Sequence, residues 1–483
     1  MLQQGLEKDR QSTQKNLHWA RWLLTRGVES RGRILPVPPE ERVDTQFWKI
    51  FFVWFSMNVN ILSFSAGTLG PVVFGLGLRE ACLTILFFNL LCCIPPAYFT
   101  TWGPKLGMRQ MVISRYSFGY YGVILPCILN LIGMTGFSVL NSILGGQALS
   151  SVTNGSLSWS VGIVIIVIIA LLVSFCGYKV LNWYERIAWM PVVLSFVVAL
   201  GVGGKHLSNP PAEPATARAV LNFASSLAGF MITYSPLSSD FTTYFHPSVS
   251  SWRLFIYSYL GFLSPVVTLQ CLGAAVVVAV PSVPHWEAGY AGGNVGGLLE
   301  AMLHPVKGFG KFLTVLLSLS VAGNLAATFY SFSLNIQVFV PPLVIVPRYV
   351  FSILATAIVI PLAIVGATSF YEALTDFLGV IGYWASIFVA IILVEHLLFR
   401  KNNPNNYDVE HWNIPQRLPS GIAAIASAVM SFGLIVVPGM DQVWFVGPLA
   451  KTTGDIGFEA AFALSVILYI PFRALEIRLR KTL

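Results

Sequence analysis

Charge is what this sequence has least of. Asp, Glu, Lys and Arg make up 10% of its 483 residues, against 55% hydrophobic residues and a mean hydropathy of +0.71. Soluble proteins carry about 25% charged residues, so the composition excludes a soluble domain and implies an integral membrane protein. The alternating ten-residue segments of a membrane β-barrel are missing as well. What recurs is the apolar run of roughly 20 residues that one helical crossing needs. About twelve are found, near 48–74, 79–101, 119–150, 158–177, 187–204, 218–240, 253–280, 309–337, 349–366, 373–399, 420–437 and 455–473. The expectation is an all-α integral membrane protein with about twelve transmembrane helices.

Further absences narrow the class. There is no GxxxxGKS/T phosphate loop, and the longest loops, about 280–308 and 400–419, are too short for a nucleotide-binding domain. That excludes an ATP-driven pump. No Ser–His–Asp order and no cluster of His, Cys and carboxylates occurs, so neither an enzyme nor a metal site is expected. Cys82, Cys92, Cys93, Cys127, Cys176 and Cys271 lack metal-ligand spacing and sit in apolar runs, as small buried hydrophobes do. A secretory signal is lacking too, because the start is polar and interrupted by Pro36, Pro38 and Pro39. Residues 1–47 are expected as a cytosolic tail, 48–399 as a ten-helix core, and 400–483 as two further helices with a short tail.

The formal net charge of +8 raises the question of nucleic acid. Its placement answers it. With a cytosolic N-terminus, every Lys and Arg except Arg79, Lys205, Arg218, Lys307, Lys311 and Lys451 falls on a cytosolic segment. The positive-inside rule then puts both termini in the cytosol. The partner of this charge is the lipid bilayer, and no nucleic acid is expected.

Two spans break the apolar pattern. "MNVNILSFSAGTLGPVVFG", residues 57–75, carries Asn58, Asn60, Ser63, Ser65, Gly67, Thr68, Gly70 and Pro71 within one helix length. "FMITYSPLSSDFTTYF", residues 230–245, gathers Ser235, Pro236, Ser238, Ser239 and Asp240. A broken helix in lipid is tolerated only where protein or a water-lined cavity covers it. The second stretch is therefore either a loop at the cytosolic face or an interrupted helix. The two spans lie five apart and so cross in opposite senses. Paired broken helices in inverted halves point to the midplane site of a secondary transporter, which favours the interrupted-helix reading.

Other spans carry polar faces. In "GMTGFSVLNSILGGQAL", Phe137 and Asn141 share a helical face. Asn141 is read as either a site residue or interhelical glue, and Gly133, Gly136, Gly145 and Gly146 as close-packing positions. In span eight Ser318, Ser320, Asn324, Thr328 and Ser331 form a stripe expected to face protein or water. Glu185 and Asp240 are membrane-depth carboxylates and so candidates for proton coupling, with ion pairing as the alternative. Glu395, close to Arg400, reads more readily as an ion pair. Aromatic faces at Phe137 and Tyr234, amides at Asn141 and Asn324, hydroxyls, and no Lys or Arg inside the spans suit a neutral, flat, polar solute.

"SFSAGTLGPVVFGLGL", "GPKLGMRQMVISRYSFG", "NSILGGQAL", "GYKVLNWYERIAWMP" and "SSDFTTYFHP" together resemble the nucleobase–cation symporter family, in its fungal purine-cytosine permease branch. The similarity runs from about residue 45 to 475. It implies a LeuT-type five-plus-five inverted repeat, roughly 48–204 and 218–399, with two extra C-terminal helices. It also implies proton-coupled uptake of nucleobases across the plasma membrane. On matching positions Ser63, Asn141 and Asn324 look retained, and Glu185 matches the acidic residue of the "YER" stretch. Three positions depart from the family pattern. Phe137 and Tyr234 stand where Trp is frequent, and "NLAAT" puts Thr328 in place of an Asn. The branch also resembles carriers of vitamin B6.

The reading is a secondary carrier binding its solute through Ser63, Phe137, Asn141, Tyr234, Asn324 and Thr328, with Glu185 or Asp240 carrying the proton. No cofactor is expected. Sodium coupling through Ser318 and Ser320 is the lesser alternative, and a pyridoxine carrier of the same fold the alternative substrate. A non-transporting nutrient sensor or a channel is the rival from another class.

Overall fold

The computed structural model describes residues 34–153, 155–175, 187–340, 342–343 and 346–480. Helices stand at all twelve expected crossings, numbered here as spans in chain order. Among the described residues, eight helical runs are long and apolar enough to cross a membrane unaided, and a ninth if the bent pair Lys49–Asn58 and Ile61–Val72 counts as one. The other crossings are less obvious for local reasons. Span four, Trp159–Phe175, has only 17 residues. Span six, Ala217–Ile232, is continued by the 3-10 helix Ser235–Phe241. The run Arg348–Phe399 holds two spans, divided at Ala367–Ser369, where Ser369 leaves helical geometry.

Span one bends by 55° between its halves. Val59 and Asn60 leave helical geometry there, with Asn60 fully extended. The freed groups are met by side chains. Asn60 Oδ1 accepts from Ser63 N–H at 3.0 Å and caps the second half, while its Nδ2 donates to the Met57 carbonyl at 2.7 Å. Ser63 Oγ donates to the Asn58 carbonyl at 2.6 Å. The break is self-capped.

Span six solves the same problem with hydroxyls. The helix ends at Ile232, and Pro236, which has no N–H to give, opens the 3-10 turn. Ser238 Oγ donates to the Tyr234 carbonyl, Ser239 Oγ to Met108 and Thr242 Oγ1 to Thr100. Ser235, Pro236, Ser238, Ser239, Asp240 and Phe241 are all buried. The stretch is therefore an interrupted helix inside the protein rather than an exposed loop. Tyr234 O–H donates to Asn58 Oδ1 at 3.1 Å and ties the two breaks together.

Around the breaks the spans pack as two four-helix groups. Spans one, two, six and seven form one; spans three, four, eight and nine form the other. In each group the members pair at an offset of five. Backbones approach closely where side chains are absent: a Cβ on Gly67 of span one would lie 1.9 Å from the Gln270 carbonyl oxygen of span seven. Of the four glycines expected at close contacts in span three, three behave so, with Cβ positions 2.0 Å from the Phe377 ring at Gly136, 2.8 Å from Val321 at Gly145 and 2.7 Å from Ile163 at Gly146. Gly133 does not. Nothing lies within 4 Å of its Cβ position, because it borders a cavity.

Span ten packs on span six and on span twelve, Gly457–Arg480. Its end is held by a buried cluster in which Glu395 accepts from Arg400 Nε at 3.0 Å, Arg473 Nε at 2.9 Å and Tyr469 O–H at 2.9 Å. The pair expected between Glu395 and Arg400 is thus part of a clamp on the C-terminal helices. Cys92, Cys93 and Cys127 are buried as expected, while Cys82 and Cys271 are half-buried and Cys176 lies outside the described residues.

Candidate binding cavity at the helix breaks

The two breaks open a cavity between the helix groups. Span one contributes Asn60 and span three Asn130, Gly133 and Phe137. Span six contributes Thr233 and Tyr234, span eight Asn324, Thr328 and Ser331, and span ten Trp384. Phe230, Leu237 and Phe241 add to the apolar part, with Met57, Leu62, Met134 and Ala327. Among the described residues no charged side chain is on its wall. The cavity is narrow. A water-sized sphere can be centred over about 40 Å³ of it, against the roughly 10–15 Å³ that one water needs.

Phe137 stands edge-on to Phe230 at 6.1 Å and to Phe377 at 5.2 Å between ring centroids. Tyr234 meets Trp54 edge-on at 6.0 Å. Both rings are thus held by aromatic neighbours, which fixes their orientation toward the cavity. Asn324 Nδ2 donates to the Met57 carbonyl at 2.9 Å, and its Oδ1 accepts from Asn141 Nδ2 at 3.3 Å. Thr328 Oγ1 donates to the Asn324 carbonyl at 2.8 Å.

The six residues expected at the site divide. Phe137, Tyr234, Asn324 and Thr328 line the cavity. Asn141 and Ser63 do not: Asn141 lies behind Asn324, and Ser63 is turned into the break of span one. The polar stripe of span eight divides too. Ser318 Oγ donates to the Gly145 carbonyl of span three at 2.7 Å, leaving Asn324, Thr328 and Ser331 for the cavity. Asn130, Thr233 and Trp384 are wall residues that the sequence reading does not single out. Asn130 lies seven residues before Phe137, two helical turns on the same face, so its spacing was available. Trp384 carries no comparable signal.

A second, smaller cavity adjoins the first and shares Asn130, Met134 and Ser331 with it. Arg109, Asp240 and Asn335 line its far end. Asp240 is buried, and its Oδ1 accepts from the backbone N–H of Gln110 at 2.8 Å. Arg109 donates to the Asp240 carbonyl and, at 3.3 Å, to Tyr330 Oη. Glu185, the other carboxylate expected to couple, lies outside the described residues.

Residues 36–447 match the model of a family described as permease for cytosine/purines, uracil, thiamine, allantoin. A purine-cytosine permease of Emericella nidulans is 36% identical over 93% of this chain and 89% of its own length. A vitamin B6 transporter of Saccharomyces cerevisiae is 28% identical over 95% of this chain and 90% of its own. Among solved structures, a nucleobase-cation-symport-1 family transporter in a closed conformation with bromovinylhydantoin bound superposes with a TM-score of 0.67 at 17% identity. That match covers 92% of this chain and 95% of the other, and it carries the fold.

Proposed function

The chain belongs to the family of permeases for cytosine, purines, uracil, thiamine and allantoin, and from that premise we propose that it is a proton-coupled carrier taking a nucleobase inward across the plasma membrane. It is a multi-pass membrane transporter, not an enzyme. The observation that carries the substrate reading is the cavity wall: aromatic rings, amides and hydroxyls without a charged side chain, at the meeting of two broken helices. Such a wall suits a neutral planar ring with hydrogen-bonding edges. Ser63 and Asn141 act one layer back, holding the break and Asn324. Residues 48–204 and 218–399 are the two inverted halves, and the group of spans one, two, six and seven rocks against that of spans three, four, eight and nine about the site, with both termini cytosolic by the placement of Lys and Arg.

For coupling, a sodium ion would need backbone carbonyls at the break of span one. Those of Met57 and Asn58 already accept from Asn60, Asn324 and Ser63, and Ser318 is committed to Gly145, which leaves the Ser320 hydroxyl as the one of the two expected serines without a partner among the described residues. A proton needs only a carboxylate in reach, and Asp240 is buried beside a cavity that adjoins the site and shares Asn130, Met134 and Ser331 with it. Pyridoxine, another flat heterocycle, is the second substrate reading, favoured by Thr328 and the small Phe137 face.

Uptake of labelled cytosine, hypoxanthine and pyridoxine into cells lacking their own carriers, at two external pH values, tests the reading. Saturable nucleobase uptake that rises in acid is expected and should collapse with a protonophore. Uptake of pyridoxine alone would replace the substrate, and sodium dependence would replace the coupling ion.

A further inference from the structure

The polar groups on the cavity wall differ in what they have left to offer a solute. Asn60 spends both ends of its amide on the break. Asn324 is engaged at both ends by Met57 and Asn141, and Thr328 and Thr233 donate to carbonyls of their own helices. Asn130 and Ser331 are different. They are 3% and 1% exposed, and among the described residues neither the Asn130 amide nitrogen nor the Ser331 hydroxyl meets a partner. An unpartnered buried polar group keeps its desolvation cost with nothing to offset it, so it calls for an explanation. Both residues also border the second cavity, which places them at the junction of the two. One turn beyond Ser331, Asn335 lines that second cavity with both amide atoms unpartnered.

We propose that Asn130 and Ser331 form a subsite that reads the hydrogen-bonding edge of the solute, beside Asn324 on the same wall. This rests on the heterocycle reading above. The chemistry fits that solute class. An amide offers a donor and an acceptor side by side, matching the adjacent donor and acceptor of a nucleobase edge, and a hydroxyl adapts to either. The ring then sits with its polar edge toward the span-six 3-10 helix and its apolar faces among Phe137, Phe230 and Tyr234. The unpartnered Asn335 continues the same chemistry along the second cavity.

The test compares purified wild type with Asn130→Ala and Ser331→Ala by thermal stabilisation with cytosine, hypoxanthine and pyridoxine, and by KM and maximal rate of uptake in cells. Removing a group that has no partner among the described residues should leave the unliganded melting temperature unchanged or raised. The half-saturating concentration and KM should rise about tenfold, the cost of one hydrogen bond, at unchanged surface abundance. A lowered melting temperature with unchanged half-saturation in both variants would overturn the proposal, since that is the signature of groups that only hold structural water. If pyridoxine alone stabilises the wild type, the nucleobase reading falls and the subsite is judged on pyridoxine with the same variants. If none of the three stabilises it, both fall.

Discussion

Gly133 is a small residue doing the opposite of what small residues in a span usually do. Elsewhere in span three the missing side chain lets a neighbour come close; here it leaves space open. A Cβ at Gly133 meets nothing within 4 Å, so a larger side chain there is expected to grow into the cavity. Replacing Gly133 by Leu is expected to abolish solute binding while the protein still reaches the surface. Fluorescence at the plasma membrane, measured beside uptake, checks this. A variant retained inside the cell would mean that the position is structural. The same contrast applies to the amides. Helical spacing put Asn141 on the face of Phe137, but spacing does not tell that its donor is taken by Asn324. What a polar residue offers depends on its partners, and those come from spans about 180 residues away in sequence.

At the scale of elements, the join between span ten and span twelve rests on charge in a low-dielectric place. Glu395, 1% exposed, faces two guanidinium groups, Arg400 and Arg473. Removing one partner of a buried ion pair costs about 3–5 kcal/mol, because the remaining charge stays desolvated. Glu395→Gln is thus expected to lower the melting temperature of the detergent-purified protein. Adding Arg400→Met, which removes the guanidinium whose other bonds are to backbone carbonyls and leaves the Arg473–Glu476 pair intact, should recover part of the loss. Simple additivity of the two changes would show that the residues do not act as one cluster. Both broken helices were legible in the sequence, since Asn, Ser, Gly and Pro crowd into otherwise apolar runs. Glu395 was visible only as half of a local pair with Arg400. Its stronger tie to span twelve joins residues 78 positions apart, which no local pattern carries.

At the scale of the whole molecule, the C-terminal helices are also fastened at the opposite end. Arg218 and Asn222 of span six bond Asp441 of the short hairpin Asp441–Gln442 and Phe445–Val446. Asp455, in the loop before span twelve, accepts from Tyr383 of span ten, from Gln442 and from Gly457 N–H. Burial pushes its carboxyl up to about 6 from the usual 3.8, although those donors pull the other way. The folded protein therefore holds this proton more tightly than the unfolded chain does. Stability from this group is fully present below the unfolded value and is lost as pH rises through the folded one, over about pH 4 to 6. Asp455→Asn should flatten that part of the melting-temperature profile. An unchanged slope would assign it to other carboxylates. The four elements that meet here lie at 218–222, 383, 441–446 and 455, so apolar periodicity, which located the spans, held no sign of the junction.

The self-capped break of span one bears on how the protein can be handled. Carbonyl oxygens left open at such a point have to be filled by something from the buffer, and the choice of salt then decides whether a preparation survives. Here Asn60, Ser63 and Asn324 fill them from within the chain. On the proton-coupled reading, extraction and storage in sodium, choline or potassium buffers are expected to give the same melting temperature, and a rise specific to sodium would overturn that reading.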